Sequence, residues 1–234
     1  SITASGSTGD FEWYTDETGG TQLATTPTYT TPNLNDTTTY WLQTNGLSAS
    51  TGKILITECG LEGFAGATSA DYLEISNLYA TPVNTTGWVA AISADYNNIN
   101  NVNTILWDLP TTFSACSVES RNDISSDPNY WGNNIMWNPG ANTTYRSWAI
   151  IIDNNGNVID FVAWGWNAAD IAGFNTTING FNITLGPEWT GDGCDATCGV
   201  AGGAPLSIQR IGNQDGNTLA DFVCQASTPD VVNP

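Results

Sequence analysis

Apolar and polar residues alternate along most of this chain with a period of two, the pattern of strands laid half-buried on a core. Over residues 1–52 the strand-like runs are short, at 1–5, 11–15, 22–25, 28–31 and 38–44. Thr18-Gly19-Gly20 and Pro32-Asn33 supply turns between them. Trp13 and Tyr40 fall on core positions, and Trp41, one residue on, falls on the opposite face. From Ile54 the runs lengthen. Ile54-Leu55-Ile56-Thr57-Glu58 reads as a strand. Asp71-Tyr72-Leu73-Glu74-Ile75-Ser76-Asn77 alternates, with Leu73 and Ile75 on one face and Tyr72, Glu74 and Ser76 on the other. A turn leads into Val83-Asn84-Thr85-Thr86-Gly87-Trp88. Runs at 147–153 and 158–164 flank Asn154-Asn155-Gly156-Asn157, whose Asn and Gly tolerate the positive φ of a tight hairpin turn. Leu206-Ser207-Ile208-Gln209-Arg210 and Ala220-Asp221-Phe222 close the series.

Composition agrees. Strand-favouring Thr, Tyr, Trp, Val and Ile are abundant, charged residues are only 12%, and ten Trp and eight Tyr give ample core material. The expected fold is all-β, with two Ig-like β-sandwiches in tandem. The boundary falls near residue 52, where a Thr-rich stretch without cysteine gives way to the richer pattern.

The first segment resembles the small Ig-like domains repeated in secreted bacterial surface proteins. Thr3-Ala4-Ser5-Gly6-Ser7, Phe11-Glu12-Trp13-Tyr14, Thr18-Gly19-Gly20, Tyr29-Thr30-Thr31-Pro32 and Thr37-Thr38-Thr39-Tyr40 carry the likeness. An Ig sandwich usually takes ~100 residues and about seven strands, so this one reads as truncated. The resemblance implies a strand ahead of Thr3 that is not in this sequence. Either upstream residues have been removed, or another chain fills the gap by β-augmentation. Residues 53–234 resemble the lamin-tail domain, an Ig-like sandwich. The matching pieces are Ile54–Glu58, Asp71–Asn77, Gly87-Trp88, the Asp153–Asn157 hairpin, Ile208-Gln209-Arg210, Asp221-Phe222 and Thr228-Pro229. That likeness implies a non-catalytic module used for interaction or anchoring. This copy is enlarged by an Asn-rich stretch at 93–146 and a Gly-rich one at 165–204, lengths expected to carry function or to pack as subdomains.

The charge balance excludes much chemistry. There is no histidine, and four basic residues face 23 acidic ones, for a net charge of −19. No Ser–His–Asp or Cys–His relay and no His-bearing zinc site can form. Phosphate backbones and anionic lipid heads are repelled, which argues against nucleic acid. No apolar run approaches the ~20 residues of a membrane helix. No secretory signal is present, and Ser1 opens directly on a strand-like run, so a mature or trimmed secreted chain is expected. Cys59, Cys116, Cys194, Cys198 and Cys224 suit an oxidising exterior, with at least four expected in disulfides and Cys194 able to pair with Cys198 within one loop. Asn-x-Thr sequons at Asn35, Asn84, Asn142, Asn175 and Asn182 permit glycosylation.

Three constellations remain. Glu58, Glu62, Glu74, Glu119 and Glu188 could supply a glycosidase pair, but nothing singles out two, and no enzyme is expected. Calcium is the cofactor to consider, because hard cations take carboxylate and amide oxygens. Asp153, Asn155 and Asn157, and Asp215 with Asn217, have that chemistry, although the first group doubles as a hairpin turn. Trp131, Trp137, Trp164 and Trp166 could offer indole faces to a sugar, or could cover the core; Trp88 is expected buried. Arg210 is expected to clamp a carboxylate such as Glu74 or Asp221. The leading expectation is an extracellular structural or adhesive subunit. It would contact copies of itself or other cell-surface components, forming a head-to-tail filament by strand complementation. The alternative is a secreted carbohydrate-binding module.

Overall fold

A computed structural model describes residues 1–3, 10–16, 20–26, 28–34, 36–45, 54–61, 71–93, 95–135, 137, 146–195, 198 and 206–231. The chain divides into two units, Ser1–Gly52 and Lys53–Pro234. Its strands lie in several sheets, and the architecture is all-β.

The first unit holds β1 (Ile2–Thr3), β2 (Asp10–Tyr14), β3 (Gln22–Ala24), β4 (Thr28–Tyr29) and β5 (Trp41–Asn45). One sheet has the order β3-β2-β5 and the other pairs β1 with β4. Trp13 is the anchor: it is 6% exposed, and its indole N–H donates to the carbonyl of Thr26 at 2.9 Å. Tyr29 packs 6.2 Å from Trp13, and Tyr40 meets Tyr29 edge-on at 5.2 Å. Trp41 faces away and is 39% exposed, as the alternation of side chains requires.

The second unit runs through β6 (Ile54–Gly60), β7 (Tyr72–Asn77), β8 (Val83–Asn84), β9 (Val89–Ile92), β10 (Trp107–Asp108), β11 (Thr112–Phe113), β12 (Val118–Asn122), β13 (Ser147–Ile152), β14 (Val158–Trp164), helix α1 (Ala168–Ala172), β15 (Asn175–Ile178), β16 (Phe181–Thr184), β17 (Leu206–Arg210) and β18 (Phe222–Ala226). A five-stranded sheet, β12-β7-β6-β17-β18, packs on a four-stranded one, β10-β9-β13-β14, with β6 against β13 and β14. Between them lie Ile54, Ile56, Leu73, Ile75, Ile151, Val162 and Ile208, all at most 2% exposed. Each such burial contributes roughly 1.5–3 kcal/mol. The ladder of β6 and β7 shifts between Ile56 and Glu58. This bulge keeps Cys59 in the core and sets Glu58 opposite Glu74.

Two expected strands differ. The run from Val83 breaks after Asn84, whose side-chain oxygen accepts from the Thr86 amide at 3.0 Å, and Gly87 follows at φ 78° before β9 begins. The run at 220–222 is instead a 3-10 turn, Leu219–Asp221, held by a capping box between Thr218 and Asp221, and β18 follows it. The long insertions are structured where described. Ile99, Trp107, Trp131 and Trp137 of the first, and Phe174, Ile178, Ile183 and Trp189 of the second, join the core.

One disulfide, Cys198–Cys224, ties the approach to β17 to β18, with its Cα atoms 5.7 Å apart and a sequence separation of 26. The proposed Cys194–Cys198 loop is not formed. Cys59 and Cys194 are buried free thiols and Cys116 is an exposed one, so only two of the five cysteines are bonded. Burial pushes the Cys194 thiol up to about 12 and that of Cys59 well above its ordinary value. Reducing Cys198–Cys224 removes a cross-link over a loop of this size. It is expected to cost the second unit about 3 kcal/mol, read as a lowered midpoint in thermal unfolding with reductant.

Candidate functional site

Strand β5 ends the sheet of the first unit. It pairs with β2 from Asp10↔Asn45 to Tyr14↔Trp41, and no strand pairs with its other flank among the described residues. Such a flank presents a row of backbone donors and acceptors, which proteins usually screen with charge or proline. β5 carries neither. Trp41 and Leu42, on opposite faces of the strand, are 39% and 40% exposed. Among the described residues β1 and β4 pair only with each other.

In the second unit the outward face of the five-stranded sheet is polar yet buried. Thr57, Glu58, Glu74, Ser76, Ser207 and Gln209 are at most 1% exposed. The segment after β18 covers them. Glu58 accepts from the amide of Thr228 at 2.8 Å and from its hydroxyl at 2.9 Å. It also accepts from Ser207 at 2.6 Å, from Gln209 at 3.2 Å and from the Tyr72 hydroxyl. Glu74 accepts from Thr57 at 2.8 Å and from the Asp230 amide at 2.9 Å. The Ser120 hydroxyl donates to the Asp230 carboxylate at 2.6 Å. Burial pushes the Glu74 carboxyl up to about 8, with neighbouring Glu58 adding to the rise and the Thr57 hydrogen bond working against it. Both carboxyl groups are therefore engaged in holding this strap. Glu119 and Glu188 are half-buried and Glu62 lies outside the described residues.

Arg210 does form a clamp, but with a different partner. Its guanidinium donates to both carboxylate oxygens of Asp160, on β14 of the facing sheet, at 2.7 and 2.6 Å. It also donates to the carbonyls of Ile56 at 2.8 Å and Gln214 at 2.6 Å, and packs over Phe222 at 4.5 Å. Asp160 in turn accepts from the Ile56 amide at 2.6 Å, so the pair ties both sheets to the β6 bulge. Burial pushes the Asp160 carboxyl up to about 6, against the pull of the Arg210 charge. Asp215 is 3.9 Å from the guanidinium, while Asp221 caps the 3-10 turn instead.

The indole platform is not present. Trp131, Trp137, Trp164 and Trp166 are 5%, 1%, 0% and 4% exposed, because the insertions fold over the sandwich and draw them inside. Trp137 meets Trp164 edge-on at 4.9 Å, and Arg146 covers the ring of Trp166 at 5.2 Å. Trp88 is half-buried where full burial was expected. Trp189, not singled out by its sequence, packs on Phe161 and Phe222. It lines a half-open pocket of ≈ 600 Å³ with Ile171, Phe174 and Leu185, and no charged side chain lines that pocket.

Asp153, Asn155 and Asn157 sit together on the β13–β14 turn. There Asp153 Oδ1 accepts from the amides of Asn155 and Asn157 at 2.8 Å, and Oδ2 from the Asn157 side chain at 2.8 Å. Partial burial raises the Asp153 carboxyl, but these hydrogen bonds outweigh it and hold the group below its ordinary value. The hairpin accounts for this cluster. Asp215 and Asn217 lie separately, in the 211–218 connection. No group of three or more Asp, Glu or Cys able to hold a metal ion occurs among the described residues. Asn84, Asn175 and Asn182 are exposed; Asn35 and Asn142 lie outside the described residues.

Two small sheets around an aromatic centre make the first unit an Ig-like domain. Residues 1–53 match the family described as "Ig-like domain CHU_C associated". No curated protein and no solved structure is significantly similar to the chain. The Ig-like unit fits an extracellular surface role, and among the described residues no helix is long and apolar enough to cross a membrane.

Proposed function

We propose that this chain is a secreted structural subunit of the cell surface that joins neighbouring copies by strand addition at β5. The observation that carries this reading is the uncharged outer flank of β5, with Trp41 and Leu42 exposed on its two faces. A strand from a neighbour gains main-chain hydrogen bonds there and covers both side chains. The Ig-like match over residues 1–53 supports a surface setting. The second unit, which resembles the lamin-tail domain, serves as a rigid body rather than a catalyst. Its two buried glutamates, Glu58 and Glu74, are occupied in holding the chain's own strap. The partners are copies of itself, not nucleic acid or lipid, in keeping with the net charge of −19.

Electron microscopy of the purified chain tests this. Linear assemblies are expected, and the variant Trp41→Lys with Leu42→Lys is expected to abolish them while leaving the fold intact by circular dichroism. Assemblies that survive this double substitution unchanged would remove β5 from the account.

A further inference from the structure

A strand that adds to β5 needs an origin, and four described strands of five residues or more lie at sheet edges: β5, β12, β14 and β18. Two are protected. β12 carries Glu119 and Arg121, and the segment after it folds back on its end, where the amide of Asn122 donates to Asn129 at 2.9 Å and that of Trp131 to Asn122 at 2.7 Å. β14 contains Asp160 and is closed at its far end by Cys194, whose amide donates to Ala163 at 2.7 Å and whose carbonyl accepts from Gly165 at 3.1 Å.

Among the described residues β18 has neither protection, and its one cross-link is the disulfide from Cys224 to Cys198. Phe222-Val223-Cys224-Gln225-Ala226 has no charge in a chain that is otherwise strongly acidic, and all but Phe222 are exposed. Val223 is 41% exposed, and its neighbours Ile211 and Leu219 are 41% and 46% exposed. Ile211 extends the β17–β18 ladder by one step, its amide donating to the Asp221 carbonyl at 2.8 Å, so it lies on the paired side of β18. Like-charged copies repel at most other surfaces. The two open edges are the uncharged ones, they have the same length of five residues, and each carries exposed apolar side chains.

Building on the strand-addition reading above, we infer that β18 of one copy is the strand that pairs with β5 of the next. Because the two edges belong to different units of the chain, the contact is heterologous. Every junction leaves a free β18 at one end and a free β5 at the other, so the product grows as a linear polymer unless the rotation between copies closes it into a ring.

Two half-blocked variants test this by light scattering. Trp41→Lys with Leu42→Lys leaves only β18 open, and Val223→Lys leaves only β5 open. Ala226→Lys, at another exposed position of β18, is the second block in case Val223→Lys does not fold. Each variant alone is expected to keep the mass of one copy. An equimolar mixture of a β5-blocked and a β18-blocked variant is expected to double that mass and stop. A mixture that stays at the mass of one copy, or β18-blocked variants that still polymerise, would overturn the pairing while leaving the strand-addition reading in place. A wild-type chain that never exceeds the mass of one copy would end both.

Discussion

Replacing Arg210 with alanine is expected to destabilise the second unit by about 3–5 kcal/mol, the usual cost of stranding one member of a buried ion pair. Arg210 and Asp160 are each only about 1% exposed as side chains. Without the guanidinium, the Asp160 carboxylate stays between the sheets with no countercharge, and the carbonyls of Ile56 and Gln214 lose the donor that the guanidinium gave them. Arg210→Lys is expected to recover little, because an ammonium cannot reproduce the planar fork that bonds both oxygens of Asp160. Arg210→Met with Asp160→Leu is expected to be milder than either single change, since it removes both charges, although the Ile56 amide and carbonyl at the bulge still lose partners. Urea unfolding followed by tryptophan fluorescence reads these differences. A loss under about 1 kcal/mol for Arg210→Ala would show the pair to be as dispensable as a surface contact.

The second unit is also expected to lose stability as pH rises from about 5 to 9, and Glu74 accounts for a large share of that loss. Its carboxyl sits at about 8 when folded against an ordinary 4.5. Between those values the folded chain keeps a proton that the unfolded chain has released. Stability from this group is therefore complete below 4.5 and disappears as pH passes through 8. The upper bound is about 5 kcal/mol. Glu74→Gln keeps the shape of the protonated acid and cannot ionise, so its pH profile is expected to be flatter, with the variant the more stable of the two at pH 9. Identical pH slopes for the two proteins would contradict the burial of Glu74 beneath the strap.

These two effects mark the limit of what the chain discloses unfolded. β6, β7, β13 and β14 were legible because apolar residues alternate along them and Asn154-Asn155-Gly156-Asn157 marks the turn between the last two. Periodicity cannot say whether the second face is wet. Glu74 and Ser76 alternate with Leu73 and Ile75 as solvent-facing residues do, yet their cover comes from Asp230, 156 residues away from Glu74. Arg210 could be recognised as a clamp from its rarity, but Asp160, its partner on the opposite sheet, is 50 residues off and looks like any other acid. The tryptophans stayed two-sided for a related reason. An indole beside Asn and Gly reads as a platform until the fold decides whether the insertion lies open or closes over it, and here it closes. β5 was readable as a strand, and the shortness of the first segment implied an unpaired edge within it without saying which strand would carry it. The edge of β18 was missed, although its signal was present: five consecutive uncharged residues closing a strongly acidic chain's last sheet.

The decisive measurement is amide hydrogen exchange at Trp41–Asn45, compared between concentrated and highly diluted protein. Amides on the outer flank of β5 are expected to exchange rapidly in dilute solution and to become protected as copies join. Rates that do not depend on concentration, from a chain whose remaining amides report an intact fold, would mean that no neighbour's strand ever occupies this edge.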